Sequence, residues 1–496
     1  MVGDEDGGER RLRVPVIAVS IPGPTAAEAA AQIESARRAG ADLAELRLDL
    51  FERPDPGPLL EKKTLPLIAT VRPAWEGGGW TGNEDDRIAI LREAARGGAD
   101  WVDLEFKAYK DFDRGAAKLI LSWHDNAKTP SDLDATIRKM AALEPDLLKL
   151  AVTARGTSDV LAAVRAQQGL DQPGVVIPMG DWGEAARILT ARLGGWISYA
   201  AAERGRETAP GQLTVAELAH DYRVKSIDDD TLVYAVFGDP VGHSQSPRLF
   251  NRVFQVLGIN ARYVKVRLDS GSVLREAMEV LGIRGGSVTI PHKVAALPLV
   301  EEPDERVKAI GAVNTVVLRE GRLHGHNTDA PGAVETIQAA AMRKWKHGAY
   351  GMRALVIGAG GVARAVAWGL KGEGARVTIA NRTFERARAL GQELGCDYLP
   401  LDRVIEARAQ IVANATSAGM GGGKSPYPKE LWKSDMVAFD VVYTPRKTQF
   451  LEEARAAGAE IGDGVEMFLK QAQHQLNHYV GRGIPTEVIK EFNQIL

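Results

Sequence analysis

The chain has 496 residues, too many for one hydrophobic core, and its length predicts roughly three domains. Hydrophobic residues make up 45% and charged residues 26%, with a formal net charge of -3, which argues against disorder and against a general affinity for nucleic acid and points to small-molecule partners. A single cysteine, Cys396, excludes an internal disulfide and a Cys-rich zinc site, as in a reducing cytoplasm, and reads as a small buried or half-buried residue.

Residues 1–13 are acidic, then basic, and lack the apolar core of a secretory signal, so they read as a frayed leader. No apolar run approaches the length of a membrane span, and a soluble, cytoplasmic protein without a membrane partner is expected. From 14 to 222, short apolar runs alternate with Ala-rich amphipathic segments such as 26–39 and 88–96. The runs are 14–21, 43–48, 65–71, 101–106, 119–124, 147–152, 175–179 and 196–200, eight strand candidates. Repeated βα units of this kind close into a (β/α)₈ TIM barrel, with a doubly wound open sheet as the alternative. The barrel is favoured because Glu45, Arg47, Arg72, Glu105, His124, Lys149 and Met179 fall toward strand C-termini, the face where barrel chemistry sits.

Residues 224–230 are short, polar and acidic and read as a linker before a strand at 232–237. A second α/β unit runs to about 332, and a helix then leads through a basic stretch at 342–353 into Ala354-Leu355-Val356-Ile357-Gly358, the opening of a third unit. Further strands are expected at 377–380, 411–414 and 437–442, a loop at Gly421-Gly422-Gly423, and a C-terminal helical segment from 465 that packs back on the second unit. The predicted architecture is α/β: a barrel at 12–222, a substrate domain at 231–334 completed by 465–496, and a Rossmann domain at 335–464.

Lys149 lies inside the apolar strand Leu147-Leu148-Lys149-Leu150-Ala151-Val152. Desolvation there opposes its charge and draws its pKa toward neutrality, which is how an amine becomes a carbonyl nucleophile. Glu45 and Arg47, two apart on one strand, share a face and must be matched by each other or by a polar ligand. With Arg72, His124, Lys149 and Arg187 in the same ring of strand ends, a purely structural ion network is the weaker account. Three arginines and a lysine point to an anionic substrate, and a histidine beside the lysine points to proton transfer coupled to imine formation.

Glu45-Leu-Arg47-Leu-Asp49, Thr70-Val-Arg72 with Glu76-Gly-Gly, Asp103-Leu-Glu105, Ser122-Trp-His124-Asp125 before Thr129-Pro130, Lys149, Met179-Gly180 and Pro210-Gly211-Gln212 occur in order. In this the first half resembles type I 3-dehydroquinate dehydratase over about 12–222. The resemblance implies a Schiff base between Lys149 and the substrate ketone, with His124 removing the adjacent proton and helping the hydroxyl leave. It further implies that Glu105 orients His124, that Arg187 and Gln212 bind the carboxylate, and that Glu45, Arg47 and Arg72 hold hydroxyls or a charge network. Two positions depart from the family's pattern: Ala186 stands where a serine is common, and Thr208 replaces a serine while keeping its hydroxyl. No metal cluster is evident, and the imine route requires none.

Gly358-Ala359-Gly360-Gly361-Val362-Ala363 follows a strand and opens a helix, fitting the G-x-G-x-x-A turn in which backbone amides approach a pyrophosphate. By itself it is also compatible with a plain tight turn. The next strand ends in Asn381-Arg382-Thr383, where an acid would hold the ribose hydroxyl of NAD and an arginine can pair with a 2′-phosphate, so NADP is the expected cofactor. Ser244 and Ser246, taken singly, are helix caps.

Ser244-x-Ser246-Pro247, Val288-Thr289-Ile290-Pro291-His292-Lys293, Gly311-Ala-Val-Asn314-Thr315, Asn327-Thr328-Asp329, Asn414-Ala-Thr416-Ser417, Asp440-x-x-Tyr443-x-Pro445 and Gln471-Ala472 together resemble shikimate dehydrogenase over about 231–496. The resemblance implies Lys293 and Asp329 as the catalytic pair, with Ser244, Ser246, Thr289, Asn314, Tyr443 and Gln471 binding carboxylate and hydroxyls, and Thr416 and Met420 joining the nucleotide site. A plain Lys–Asp salt bridge is the bland alternative. The order of the halves matches a bifunctional enzyme that makes 3-dehydroshikimate from 3-dehydroquinate and reduces it to shikimate. Preference for quinate or NAD in the second half, and a ligand-sensing repressor built from the same modules, are the competing readings; the retained Lys149, His124, Lys293 and Asp329 weigh against the repressor.

Overall fold

The computed structural model describes residues 16–109 and 113–495; the leader expected at 1–13 lies outside the described residues. Eight parallel strands, β1 (Val16–Ile21), β2 (Leu43–Arg47), β3 (Leu67–Thr70), β4 (Trp101–Glu105), β5 (Lys118–Asp125), β6 (Leu147–Thr153), β7 (Gly174–Met179) and β8 (Ile197–Ala201), pair in the order 7-6-5-4-3-2-1-8. The Trp196 amide donates to the Gly174 carbonyl at 3.2 Å and brings β7 to β8, so the sheet closes as a barrel rather than lying open. Helices clad it as the periodicity predicts. Ala26–Ala39 buries Ala29, Ile33 and Ala36 on one stripe, starts where the Thr25 side chain accepts from the Glu28 amide, and stops at Gly40, whose φ of 106° needs a residue without Cβ.

The second unit is a six-stranded sheet, β9 (Leu232–Gly238), β10 (Ala261–Arg267), β11 (Ile283–Val288), β12 (Glu302–Pro303), β13 (Thr315–Arg319) and β14 (Arg322–His326), in the order 10-9-11-13-14-12. The C-terminal helix Gly464–Val480 does pack on it: Phe468, Leu476 and Tyr479 join Tyr234, Phe250 and Tyr263 in one core, with Tyr479 stacked on Tyr234 at 4.8 Å. The third unit is all parallel, β15 (Arg353–Ile357), β16 (Arg376–Asn381), β17 (Asp397–Pro400), β18 (Ile411–Asn414), β19 (Val437–Asp440) and β20 (Glu460–Gly462), in the order 17-16-15-18-19-20. That order reverses between β15 and β18, the crevice where doubly wound sheets bind ligands. β17 and β20 escaped the sequence reading because neither contains an apolar run.

One boundary is corrected. The boundary at 334/335 falls inside one continuous helix, Asp329–Trp345, which packs against both Gly464–Val480 and Gly361–Gly372 and is shared by the two units. Residues 224–230, expected as a short linker, form a hydrogen-bonded joint. The buried Arg262 guanidinium donates to the carbonyls of Tyr222 (2.6 Å), Arg223 (3.2 Å) and Ser226 (3.3 Å), and Asp228 accepts from Asn260 and Thr231. Lys225 of this segment pairs with Asp42 of the barrel, and the Asp228 and Asp229 carbonyls accept from Arg192, so its polar groups are spent on both halves and polarity there marks a joint. Farther along, Thr157 donates through its amide (3.0 Å) and hydroxyl (3.1 Å) to Asp269, and Arg165 pairs with Glu276 at 2.6 Å, seating barrel on sheet.

Candidate active sites

The C-terminal ends of the barrel strands enclose a cavity of ≈ 140 Å³ lined by Glu45, Arg47, Arg72, Glu76, His124, Lys149, Met179, Arg187, Tyr199, Thr208 and Gln212, among others. Lys149 projects inward from β6; its ammonium donates to Glu45 (2.8 Å) and Asp103 (2.9 Å) and lies 4.0 Å from the centre of the Tyr199 ring. Burial disfavours the ammonium, yet Asp103 and Glu45 outweigh it and hold the Lys149 pKa above the usual lysine range. The expected drift toward neutrality therefore does not occur at rest: the strand pattern showed the burial but not the two carboxylates. A proton must leave Lys149 as a carbonyl arrives.

Glu45 and Arg47 share the cavity wall but do not pair. Glu45 also accepts from Ser20 (2.7 Å) and Thr70 (3.3 Å), while Arg47 pairs with Asp49 at 2.7 Å. Arg72 is matched by Asp103 at 2.9 Å and Glu105 at 2.5 Å. Arg187, from the short helix Glu184–Ile188, differs: its Nη2 donates to the Pro210 carbonyl at 3.1 Å, its Nε has no partner, and burial alone pushes its pKa down to about 10. An uncompensated buried guanidinium is a receptor for an anion. Beside it, the Gln212 carbonyl accepts from the Thr208 amide (2.8 Å) and hydroxyl (3.3 Å), which leaves the amino end of Gln212 as donor. Thr208 thus keeps the role of a hydroxyl at that position, and the carbonyls of Ala186 and Arg187 are both held by the Thr190 hydroxyl.

His124 Nδ1 lies 2.9 Å from Glu76 Oε2, not against Glu105. Glu105 points below the cavity, clasped between Arg72 and the fully buried Arg87. The assignment of Glu105 as the partner of His124 is therefore corrected: two buried guanidiniums draw that carboxylate away, and the turn Ala74–Glu76 after β3 delivers Glu76 instead. Burial, with the Arg72 and Lys149 cations nearby, holds the His124 pKa well below the ordinary imidazole range, and burial pushes Glu76 up to about 8. Asp103, Glu76 and Tyr199 were missed as site members. The first two stand inside quoted motifs, and Asp103 shares a strand face with Glu105; Tyr199, whose buried hydroxyl lacks a partner, left no signal beyond its place in the eighth strand.

In the second half, Lys293 Nζ lies 2.5 Å from Asp329 Oδ2, and Asp329 Oδ1 accepts from Asn314 Nδ2 at 2.8 Å. Asn314 in turn accepts from the Thr328 amide at 2.7 Å, and Thr328 donates toward Gln471 at 3.4 Å, which brings in the helix Gly464–Val480. Ser244 accepts from the Ser246 amide at 3.3 Å, a local cap, and the half-buried Tyr443, stacked on Phe468 at 5.4 Å, hydrogen-bonds the intervening Gln245 backbone. The Asp239 amide donates to the Ile290 carbonyl at 3.0 Å and the Thr289 amide to Phe237 at 2.8 Å, so the loops carrying the serines and Thr289 lie side by side after β9 and β11.

Gly358 sits at φ 124°, where a Cβ would meet the Ala415 carbonyl at 2.8 Å, next to Thr416, whose hydroxyl donates to Asn414 at 2.7 Å. Gly360 faces open space, and a Cβ on Gly361 would lie 3.2 Å from the Lys293 side chain, so the loop runs against the lysine. Between them Ala359 and Val362 are half-buried, and Ala363 is fully buried under the helix Gly361–Gly372. An open glycine cradle at the N-terminus of a twelve-residue helix fits a dinucleotide pyrophosphate. After β16, Asn381 donates to the Thr383 carbonyl at 3.0 Å and leaves Arg382 and Thr383 exposed; Met420 is 58% exposed on the loop beyond β18. Among the described residues no cluster of His, Cys, Asp or Glu is placed to hold a metal ion, and no helix is long and apolar enough to cross a membrane.

A TIM barrel with an interior lysine, joined to a substrate sheet and a dinucleotide-type Rossmann sheet, defines a two-centre α/β enzyme. Residues 17–229 match the family model for type I 3-dehydroquinase, 236–316 that for the shikimate dehydrogenase substrate binding domain, and 340–420 that for shikimate / quinate 5-dehydrogenase. The chain is 35% identical to the chloroplastic bifunctional 3-dehydroquinate dehydratase/shikimate dehydrogenase of Arabidopsis thaliana, over 92% of this chain and 80% of that one. Its second half is 41% identical to the shikimate dehydrogenase (NADP(+)) of Haloarcula marismortui, over 51% of this chain and 96% of that one. A crystal structure of a shikimate dehydrogenase in complex with NADP+ superposes with TM-score 0.50 at 32% identity, covering 54% of this chain and 98% of that one. The chain belongs to the bifunctional 3-dehydroquinate dehydratase/shikimate dehydrogenase family.

Proposed function

We propose that the barrel dehydrates 3-dehydroquinate to 3-dehydroshikimate through an imine on Lys149, and that the second half reduces this product to shikimate with NADPH. The observation that carries the first step is Lys149 between two carboxylates, in one cavity with an unpaired Arg187 and a histidine whose pKa is depressed. Arg187 and the Gln212 amino group bind the carboxylate, and Glu45, Arg47 and Arg72 hold hydroxyls and charge. Lys149 gives up a proton as its amine adds to the ketone, and loss of water leaves the iminium. His124, neutral through burial, takes the proton beside the iminium carbon, whose electron pair flows into the nitrogen. His124 then returns that proton to the departing hydroxyl, while Glu76 holds the ring, and addition of water to the remaining iminium breaks the C–N bond, releasing 3-dehydroshikimate and restoring the Lys149 amine, which regains its proton.

In the second half Asp329 holds and aims Lys293 across 2.5 Å, and Lys293 delivers a proton to the substrate carbonyl oxygen. Ser244, Ser246, Thr289, Asn314, Tyr443 and Gln471 bind carboxylate and hydroxyls. The loop Gly358–Ala359–Gly360–Gly361–Val362–Ala363, with Thr416 and Met420, holds the cofactor, and Asn381, Arg382 and Thr383 face its 2′-phosphate. NADPH, when bound, supplies the hydride. The functional units of this reading are 12–222, 231–334 with 465–496, and 335–464, the last two joined by the helix Asp329–Trp345 that crosses their boundary. A cytoplasmic location is part of this reading, in contrast to the chloroplastic Arabidopsis relative. Mixing the protein with 3-dehydroquinate and NADPH and following loss of the reduced-cofactor absorbance tests both sites in one trace. Oxidation is the expected result; silence that persists with 3-dehydroshikimate would refute the reading.

A further inference from the structure

Lys265 and Arg267 stand two apart on β10 and so project from one face. Each reaches two ways. Arg267 Nε donates to the Asp239 carboxylate at 2.7 Å, while its guanidinium lies 4.3 Å from the ring centre of Trp182 in the barrel. Lys265 donates to the Gly242 carbonyl at 3.0 Å and lies 3.9 Å from the Glu184 carboxylate. Asp239 and Gly242 belong to the turn that presents Ser244. Trp182 and Glu184 belong to the turn and helix that present Arg187, three residues on.

We infer that Lys265 and Arg267 are positioning residues that tie the carboxylate clamp of the barrel to the substrate loop of the dehydrogenase, so that each site's substrate affinity depends on residues of the other half. The inference rests on the functional reading above. Each end is anchored in its own half, the helix by the Thr190 and Ser198 hydroxyls on the Arg187 carbonyl and the turn by the Asp239 amide on the Ile290 carbonyl, and Lys265 and Arg267 supply side-chain links between the two. The helix Glu184–Ile188 is five residues long, too short to hold its own geometry, and 239–245 is a turn without regular structure. A guanidinium that stacks on an indole and pairs with a carboxylate at once has its plane fixed by both partners. Moving Trp182 therefore releases Asp239, and removing Arg267 releases Trp182.

The test is to assay each variant in the opposite half of the full-length protein. Trp182→Ala should raise the KM for 3-dehydroshikimate about three- to tenfold with kcat kept, and Arg267→Ala should do the same to the KM for 3-dehydroquinate. Trp182→Phe retains an aromatic face and should restore the dehydrogenase KM. Arg165→Ala, which breaks the exposed contact with Glu276 elsewhere on the same interface, should move neither KM. If the wild type is active on both substrates and the crosswise KM values stay unchanged in Trp182→Ala and Arg267→Ala, the tie is refuted and the functional reading stands. If Arg165→Ala shifts them equally, general loosening of the interface replaces it. A wild type inactive on both substrates overturns the functional reading and this inference with it.

Discussion

The imidazole of His124 is oriented by Glu76, 2.9 Å away, across the mouth of the barrel, while the neighbouring Glu105 is occupied by Arg72 and Arg87. The two glutamates therefore answer to different measurements. Glu76→Gln should lower the dehydratase kcat about 10²-fold, as loss of an acid/base orienter does, with no fall in melting temperature at neutral pH. Glu105→Gln leaves two buried guanidiniums short of a counter-charge and should cost about 3–5 kcal/mol of stability, read by denaturant unfolding. Equal and purely kinetic effects of both would contradict this division.

Stability should carry the signature of Glu76 in its pH dependence. Burial raises its folded-state pKa to about 8 from 4.5, so between those values the folded chain holds a proton that the unfolded chain has lost. The stabilising contribution is complete below about pH 4.5 and disappears as pH rises through about 8. Unfolding free energies of wild type and Glu76→Gln, compared from pH 5 to 9, should shift in favour of the variant up to about pH 8 and then level off. A constant difference would show that Glu76 titrates normally.

Arg187 is a buried cation held by a carbonyl and by no carboxylate among the described residues, so it weakens the empty protein and strengthens the bound one. Arg187→Met should unfold at the same or a higher temperature than wild type, because the desolvated charge is removed. Its KM for 3-dehydroquinate should rise about 10²-fold, the loss of a charge-assisted pair of about 3 kcal/mol. A destabilised variant with unaltered KM would make Arg187 structural.

The two chemistries should be separable by single substitutions. Lys149→Ala should abolish dehydration, by about 10⁴-fold or more, and abolish covalent labelling by borohydride in the presence of 3-dehydroquinate, while reduction of 3-dehydroshikimate continues. Lys293→Ala should cut the dehydrogenase kcat about 10²- to 10⁴-fold, with modest change in KM and intact dehydration. The retained activity in each case reports that the chain still folds. Borohydride labelling of Lys149→Ala at the wild-type level would rule out the imine at this lysine.

Local patterns in the sequence were sufficient to place the eight barrel strands and to pick out most of the side chains that line each site. The period of two along 43–47 puts Glu45 and Arg47 on one face, the βα alternation points to a barrel, and the glycines at 358, 360 and 361 mark a turn in which Gly358 has a φ and a close approach that exclude a side chain. Those signals are written within a few residues of each other, so they survive without knowledge of the fold. What each side chain meets is not local. Lys149 finds Glu45 across 104 residues and Asp103 across 46, and those two contacts reverse the pKa shift that burial alone would give. The same closure of the barrel chose Glu76 over Glu105 for His124 and left Arg187 unpaired. It also gave the short polar linker 224–230 its partners, making it a joint around Arg262. Secondary structure fixes which face a residue occupies. The charge and partner of a buried group are set by a difference between desolvation and Coulomb attraction, and only the closed barrel and its seating on the second half supply both terms.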